Sequence, residues 1–437
     1  MIAAALAAAL FLIFIALMIV GVPVGVALGA GGAFAILMSN LDTHWFGLMA
    51  VPQSFYAGLA KYPLLAIPMF VLVGSIFDRS GVASRLVNFA IAVVGRGPGM
   101  LPLVAIAVAM FLGGISGSGP ACAAAVGAVM IGAMKRAGYP NPFSASIVAA
   151  GAATDILIPP SIAFIIYSVL VPEASVPALF AAGMFPGILA GIGLIIPAVW
   201  LSRRYKLGTA ESQLPRPPFW RSLREASWGL IAPVIILGGM RMGLFTPTEA
   251  AVVAVFYGLF VGMAIHRTIK VRDLFDILRE AAELSAVIMM VVALAGIFAW
   301  ALSTLSIVDP LTSAIINSGL GEYGILALMI VLLIVLGMFL DGISIFLIFV
   351  PLFMPIVHNF GWHPVWFGVL LTLNVALGQF TPPVAVNLMV SCRIAGVPME
   401  STLRWVGWLL LGMGLTMLLV IAQPEIALWL PRHLGFN

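Results

Sequence analysis

Met110-Phe-Leu-Gly-Gly-Ile-Ser116 is written a second time as Met338-Phe-Leu-Asp-Gly-Ile-Ser344, with six of seven residues identical. Each copy is followed by a turn, Gly138-Tyr-Pro in the first case and Gly361-Trp-His-Pro in the second. Beyond each turn lies an apolar stretch cut by a proline pair, Pro159-Pro160 and Pro382-Pro383. Proline removes a backbone donor and clashes with the preceding turn, so each pair ends a helix in mid-stretch. Two interrupted apolar segments at matching places in two halves confine the chain to folds in which related halves face a shared site inside a membrane.

Composition supports the membrane. Of 437 residues, 63% are hydrophobic and 8% charged, against about 25% charged in soluble domains. Apolar runs near the roughly 20 residues of a spanning helix recur from end to end. Met1 to Val20 has no basic residue before it and reads as a retained first helix rather than a cleaved leader. The net charge of +4 is no nucleic-acid footprint, because the basic residues follow the loops. Cys122 and Cys392 are too few for a disulfide framework or a thiolate zinc site. The histidines (His44, His266, His358, His363, His433) lack metal-ligand spacing; His358 and His363 read as a solvated turn.

Short cytoplasmic loops collect Lys and Arg. The cluster Arg203, Arg204, Lys206, Arg216, Arg221 and Arg224 marks a cytoplasmic linker, and Arg267, Lys270, Arg272 and Arg279 a second inner loop. Spans are expected at 3–20, 24–39, 63–78, 142–170, 176–200, 226–241, 246–265, 280–303, 363–392 and 405–422, with both termini outside. Arg96 and Lys135 place both ends of 100–136 in the cytoplasm, so that segment reads as a re-entrant hairpin. A stretch flanked by Arg79, Arg85 and Arg96 reads as an interfacial helix, as does 304–322. Residues 323–360 form a second hairpin entered from outside. All of the 20 basic residues except Lys61, Arg241 and Arg432 then fall inside. The expected fold is an all-α polytopic membrane protein with two inverted repeats, each carrying a hairpin and a broken helix. Its units are 1–62 (N-terminal helices), 63–200 (first repeat), 201–225 (basic linker), 226–279 (central helix pair and loop), 280–422 (second repeat) and 423–437 (tail).

Irregular backbone survives at membrane depth only inside protein or beside a wet cavity. In the first tip, Gly113 to Pro120, Ser118 or Gly119 caps the next helix with Pro120 in its first turn. A helix N-terminus held there offers free N–H groups and partial positive charge, which suit an anion. The breaks Gly151-Ala-Ala-Thr154-Asp155-Ile-Leu-Ile-Pro159-Pro160-Ser161 and Gly378-Gln-Phe-Thr381-Pro382-Pro383 share Gly-x-x-Thr, and their carbonyls and hydroxyls are hard ligands suited to Na+. Asp341 adds a carboxylate, which costs about 2.5–3.5 kcal/mol at the membrane centre and therefore points to a role. Small-residue packing is the competing explanation for these stretches, but it does not account for a Pro-Pro break written twice. Asp341 also reads as a helix cap, Asp155 as a satisfied buried acid, and Glu249 in Thr246-Pro-Thr-Glu249 as a structural cap at an outer turn. The two cysteines read as small packing residues. Gly114-Ile-Ser116-Gly117 matches the serine motif of intramembrane proteases, but no histidine lies at membrane depth to serve as its base, so the chain reads as no enzyme.

Ile115-Ser-Gly-Ser-Gly-Pro-Ala121, Ile158-Pro-Pro-Ser161, Phe245-Thr-Pro-Thr-Glu-Ala-Ala251 and Thr381-Pro-Pro-Val384 with Asn387 together resemble the large membrane subunit of the tripartite ATP-independent periplasmic (TRAP) transporters, over essentially the whole chain. Some members carry Ser where this chain has Gly119. The resemblance implies a bacterial inner-membrane carrier that takes up an organic anion with Na+ as coupling ion and no organic cofactor. Its implied partners are a small four-helix membrane subunit and a periplasmic substrate-binding protein, and its implied motion is an elevator of the domain holding both hairpins. The absence of a Gly-Lys-Ser/Thr phosphate loop agrees with coupling to an ion. Carried over, the roles put Na+ at Gly114, Ser116, Gly151 and Thr154 and again at Asp341, Gly342, Gly378 and Thr381. The anion falls to Ser116, Ser118, Gly119, Pro160, Ser161, Ser344, Pro383 and Asn387. Sialic acid, C4-dicarboxylates, other carboxylates and sulfonates all stay open. The alternative is a self-sufficient Na+- or H+-coupled carboxylate carrier that needs no binding protein.

Overall fold

The computed structural model describes residues 2–40, 44–94, 97–211 and 216–436. Its helices are α1 (Ile2–Ile19), α2 (Val24–Ser39), α3 (His44–Leu59), α4 (Ala66–Arg79), α5 (Val82–Val94), α6 (Met100–Ser116), α7 (Gly119–Arg136), α8 (Asn141–Ala152), α9 (Ile162–Leu170) and α10 (Val176–Arg204). They continue as α11 (Phe219–Arg241), α12 (Pro247–Phe260), α13 (Asp273–Thr304), α14 (Val308–Ile316), α15 (Gly321–Gly337), α16 (Gly342–Asn359), α17 (Pro364–Gln379), α18 (Val386–Ala395), α19 (Leu403–Ala422) and α20 (Glu425–Leu434). Among the described residues, seven helical stretches, Val176–Arg204 and Asp273–Thr304 among them, are long and apolar enough to cross a membrane. Several features depart from the spans read in the sequence, an early start of α13 at Asp273 among them. α3 forms despite Pro52 in its interior, the tail carries α20, and α11 starts at Phe219 within the stretch read as linker. Pro218 stands at that start, where a missing donor costs nothing.

α6 and α7 form the first helical hairpin, and α15 and α16 the second. Each hairpin packs on the broken helix of its own repeat, α8 or α17. Past each break the chain crosses to the other repeat: α9 packs on α16, and α18 on α7 and α8. The two crossings have similar locks. Tyr167 stands edge-on to Phe346 at 6.1 Å and donates its hydroxyl to Pro364 O at 2.8 Å, while Asn141 donates to Ala395 O at 3.1 Å. α2 lies against the long α13 through glycines; a Cβ on Gly32 would fall 2.8 Å from the Phe298 backbone.

The tips correct the register suggested by the doubled heptad. Gly117, at φ +60°, ends α6, and Ser118 is the N-cap of α7. In the second hairpin the N-cap is Asp341, whose Oδ2 accepts from Ser344 N at 3.2 Å. Ser118 therefore matches Asp341 in the fold, whereas the heptad pairs Gly113 with Asp341. The repeated residues close a helix in one hairpin and form the turn in the other.

The end of the linker stretch after α10 fastens the base of the first hairpin. Glu211, 5% exposed, accepts from Leu101 N at 2.7 Å and from the Tyr139 hydroxyl at 2.6 Å, and Gly99 N donates to Tyr139 Oη at 2.7 Å. Burial raises the Glu211 carboxyl above its usual range and outweighs these hydrogen bonds. A carboxyl raised on folding contributes fully below its unfolded value of 4.5 and progressively less as pH rises through the folded value. We expect the Tm advantage of wild type over Glu211→Gln to narrow as pH climbs from 4.5; thermal unfolding across that range checks it, and a widening gap contradicts it.

Candidate functional site

The first break follows α8 as a run of tight turns. Thr154 N donates to Gly151 O at 3.2 Å, Asp155 N to Ala152 O at 3.2 Å and Leu157 N to Thr154 O at 3.1 Å. The Thr154 hydroxyl returns to Gly151 O at 2.7 Å, and the Ser161 hydroxyl to Ile156 O at 2.6 Å. The C-terminal end of α6 lies directly on this break. A Cβ on Gly113 would fall 2.4 Å from Asp155 Cα, and one on Gly114 would fall 2.9 Å from Pro159 O.

The second break is built in the same manner with fewer residues. Thr381 N donates to Gly378 O at 3.2 Å, and Val384 N reaches across to Met338 O in the tip at 3.3 Å. Gly337 of α15 and Gly378 of α17 meet backbone to backbone; a Cβ on Gly378 would fall 2.5 Å from Gly337 O. Both Pro-Pro peptide bonds are cis, and Ala385 takes a left-handed conformation at φ +44° before α18.

Between the tips lies a cavity of about 290 Å³, close to the lower limit for small-molecule sites. Gly117 to Pro120 form one wall and Gly337 to Ile343 another, with Gln379 and Asn387 between them and Leu284, Val287 and Ile288 of α13 along one side. The N-termini of α7 and α16 both open here, so two sets of helix-end N–H groups converge on one space. Among the described lining residues there is no Lys or Arg, and Asp341 is the one acid. Asn387 Nδ2 donates to Gln379 Oε1 at 2.9 Å, while its buried Oδ1 has no hydrogen-bond partner among the described residues. The first tip approaches this pair so closely that a Cβ on Gly119 would fall 2.7 Å from both amide heteroatoms of Asn387 and from Gln379 Oε1. A serine there would need that pair to move.

The residues expected at the site thus fall into separate places. Ser118, Gly119 and Asn387 line the cavity, as do Asp341 and Gly342, which the sequence reading gave to an ion. Gly114, Gly151 and Thr154 belong to the first break and its helix contact, and Gly378 and Thr381 to the second. Pro160, Ser161 and Ser344 are buried off the cavity, with the Ser344 hydroxyl bonded to Asp341; Pro383 is exposed and also off it. The side chain of Ser116 lies outside the described residues. Cys122 and Cys392 are buried and free. The capping box read at Thr246 and Glu249 is present, with Glu249 Oε2 accepting from Thr246 N at 2.8 Å. The sequence reading missed Gln379, whose only signal was a long amide at the end of an apolar helix. It also missed the state of Asp155, which is buried and among the described residues has no hydrogen-bond partner.

Residues 11–426 match the family model of the tripartite ATP-independent periplasmic transporter, DctM component. The chain is 37% identical over 412 residues to the C4-dicarboxylate TRAP transporter large permease protein DctM of Pseudomonas aeruginosa, covering 94% of this chain and 95% of that protein. It is 33% identical to the sialic acid TRAP transporter large permease protein SiaM of Vibrio cholerae, covering 97% and 98%. Among solved structures, the Alcanivorax borkumensis YdaH transporter superposes with a TM-score of 0.58 at 14% identity, over 87% of this chain and 90% of that one, which speaks to the fold alone. With a family match over nearly its whole length and relatives of this kind, the chain belongs to the large membrane subunits of the TRAP transporters.

Proposed function

We propose that this subunit imports an organic anion, a carboxylate of the C4-dicarboxylate or sialic acid type, by binding it in the cavity between the hairpin tips with Na+ as coupling ion. The observation that carries the reading is the make-up of that cavity. Two helix N-termini and the Asn387–Gln379 pair face it without any cationic side chain, and Asp341 stands in its wall. An anion beside Asp341 is repelled unless a cation offsets that carboxylate, so anion and cation are expected to bind together. Na+ fits the residues at hand. The first break offers an orphaned carboxylate at Asp155 with the Thr154 hydroxyl and turn carbonyls, and the second offers Gly378 and Thr381, with Asp341 in the tip of the same repeat. Na+ brings positive charge, and the chain itself supplies hard oxygen ligands and helix dipoles. The swapped packing of α9 on α16 and of α18 on α7 ties hairpins and broken helices into one body, which supports an elevator movement against α13 and its neighbours. A cavity with so few polar groups leaves much of the selection to a periplasmic binding protein, with a small membrane subunit as the second partner.

The test is uptake of labelled carboxylates into proteoliposomes holding this chain and its small subunit, with and without an inward Na+ gradient and with and without the binding protein. Uptake that needs both supports the proposal. Uptake driven equally well without Na+ removes the coupling, and uptake without the binding protein makes the subunit a self-sufficient carrier.

A further inference from the structure

α13 lines two cavities in succession. Leu284, Val287 and Ile288 border the space between the tips, and Val292, Ala295, Gly296 and Ala299 border a second space of about 190 Å³ farther along the helix. α9 and α16 also reach both, with Ala163 and Ile343 in the first space and Leu170 and Leu347 in the second. Ile288 and Ala295 are seven positions apart, and so are Ala163 and Leu170, which separates the two spaces by about 10 Å at 1.5 Å of rise per residue. With the basic loop Arg267 to Arg279 in the cytoplasm, the second space is the outer one. Among its described lining residues Lys61 is the one charged group. That ammonium donates to Val169 O, at the C-terminal end of α9, at 3.0 Å, and among the described residues it pairs with no carboxylate. Lys61 follows α3, which lies on α13 so closely that a Cβ on Gly296 would fall 2.9 Å from Ser54 O and 3.1 Å from Gly58 Cα. It is therefore held with α13 and not with the hairpins. The outer space is smaller than the roughly 300 Å³ at which small-molecule sites begin, so alone it is an incomplete site.

We propose that Lys61 is the cationic contact for the anion in the outward-facing state, when the body of hairpins and broken helices stands about 10 Å nearer the periplasm. This rests on the proposed elevator uptake of a carboxylate and adds the group that meets the cargo on the outer side. A rise of that size carries the tips from the level of Ile288 to that of Ala295, where the space between them merges with the space beside Lys61. It also carries Val169 away, so the ammonium gives up the α9 carbonyl and turns to a carboxylate, the stronger partner. With the tips at the inner station, the same ammonium serves the last turn of α9, where carbonyls lack partners within the helix. Lys61 thus has an acceptor at both ends of the movement. Its flexible stem and three donors suit carboxylates of different shape. The cavity at the inner station has no Lys or Arg among its described lining residues and has Asp341 in its wall, so the anion is held more tightly beside Lys61 than below it. That difference suits loading outside and release inside.

Two measurements test this, and the second needs no cargo. The first uses proteoliposomes with the small subunit, the binding protein and a Na+ gradient, and labelled succinate or N-acetylneuraminate as probe. Lys61→Gln is expected to raise the external concentration for half-maximal uptake on the order of ten-fold, the weight of one hydrogen bond to a charged group. Lys61→Arg, which keeps the charge, should recover most of that loss. Exit from preloaded liposomes should keep its half-saturating concentration in Lys61→Gln, because the inner station has no such group. A lysine that served only as a cap on α9 would shift entry and exit alike. That result, or an unchanged half-saturation for entry, overturns the inference. The second measurement is cross-linking of cysteine pairs in membranes by a short bifunctional thiol reagent; the native Cys122 and Cys392 are buried. Ile343→Cys should couple to Val287→Cys at the inner station and to Ala299→Cys in the raised one. Coupling of the inner pair with none of the outer pair also overturns the inference. If wild type takes up neither carboxylate, the proposed cargo fails and Lys61 loses its ligand with it. If wild type transports and Lys61→Gln matches it, the inference alone fails.

Discussion

Gly378→Ala should abolish uptake and lower the thermal midpoint clearly. The added methyl falls 2.5 Å from Gly337 O and 2.7 Å from Gly337 Cα, so the obstacle is backbone rather than a side chain able to swing away. Relief requires α15 to back away from α17, which pulls the Val384–Met338 hydrogen bond and the second tip with it. Overpacking of this kind costs about 1–3 kcal/mol. The control is Gly238→Ala in α11, where nothing lies within 4 Å of the new methyl and the change should stay within about 0.5 kcal/mol. Circular-dichroism melts and proteoliposome uptake of the two variants, side by side, decide the matter. Equal behaviour would mean that the Gly337–Gly378 crossing does not set the position of the tip.

Asn387→Asp should weaken apparent substrate affinity by roughly 100-fold while leaving the fold intact. Asn387 Nδ2 donates to Gln379 Oε1, and an ionised carboxylate in its place sets acceptor against acceptor beside a cavity already walled by Asp341. At a separation of about 6 Å and an effective dielectric near 20, carboxylate and anionic cargo repel by about 3 kcal/mol, roughly two decades in affinity. The concentration for half-maximal uptake measures it. Asn387→Ser, which keeps a polar group without charge, should fall between the variant and wild type. An unaltered half-maximal concentration in Asn387→Asp would take the anion out of this cavity.

Much of the architecture was readable in the sequence because glycine and proline mark it. Gly117 and Pro120 flank the first tip, Pro159-Pro160 and Pro382-Pro383 the breaks, and basic residues the linker. The doubled heptad misled on register, because seven matching residues report common ancestry or common packing needs, not which residue ends a helix. The cap at Asp341 and the left-handed Gly117 settle that through backbone geometry. Gln379 and Asp155 stayed hidden for a different reason. Whether a polar side chain in an apolar run has a partner depends on what packs against it from elsewhere in the chain, as Gly113 does on Asp155 and Gly119 on the Asn387–Gln379 pair. The Glu211–Tyr139 link was equally invisible, since an acid in a basic linker gives no sign of the distant tyrosine that satisfies it.

The walls of the cavity and its fittings answer to different rules. Its frame is glycine against backbone, at Gly113 on Asp155 and at Gly337 on Gly378, where no side chain can be added without moving a helix. Its interior is furnished by side chains such as Ile343, Gln379 and Asn387, which can be exchanged without disturbing those crossings. A lineage built on this plan is free to change its cargo while its skeleton stays frozen. Relatives named for a dicarboxylate and for a sialic acid stand at similar identities to this one chain, 37% and 33%.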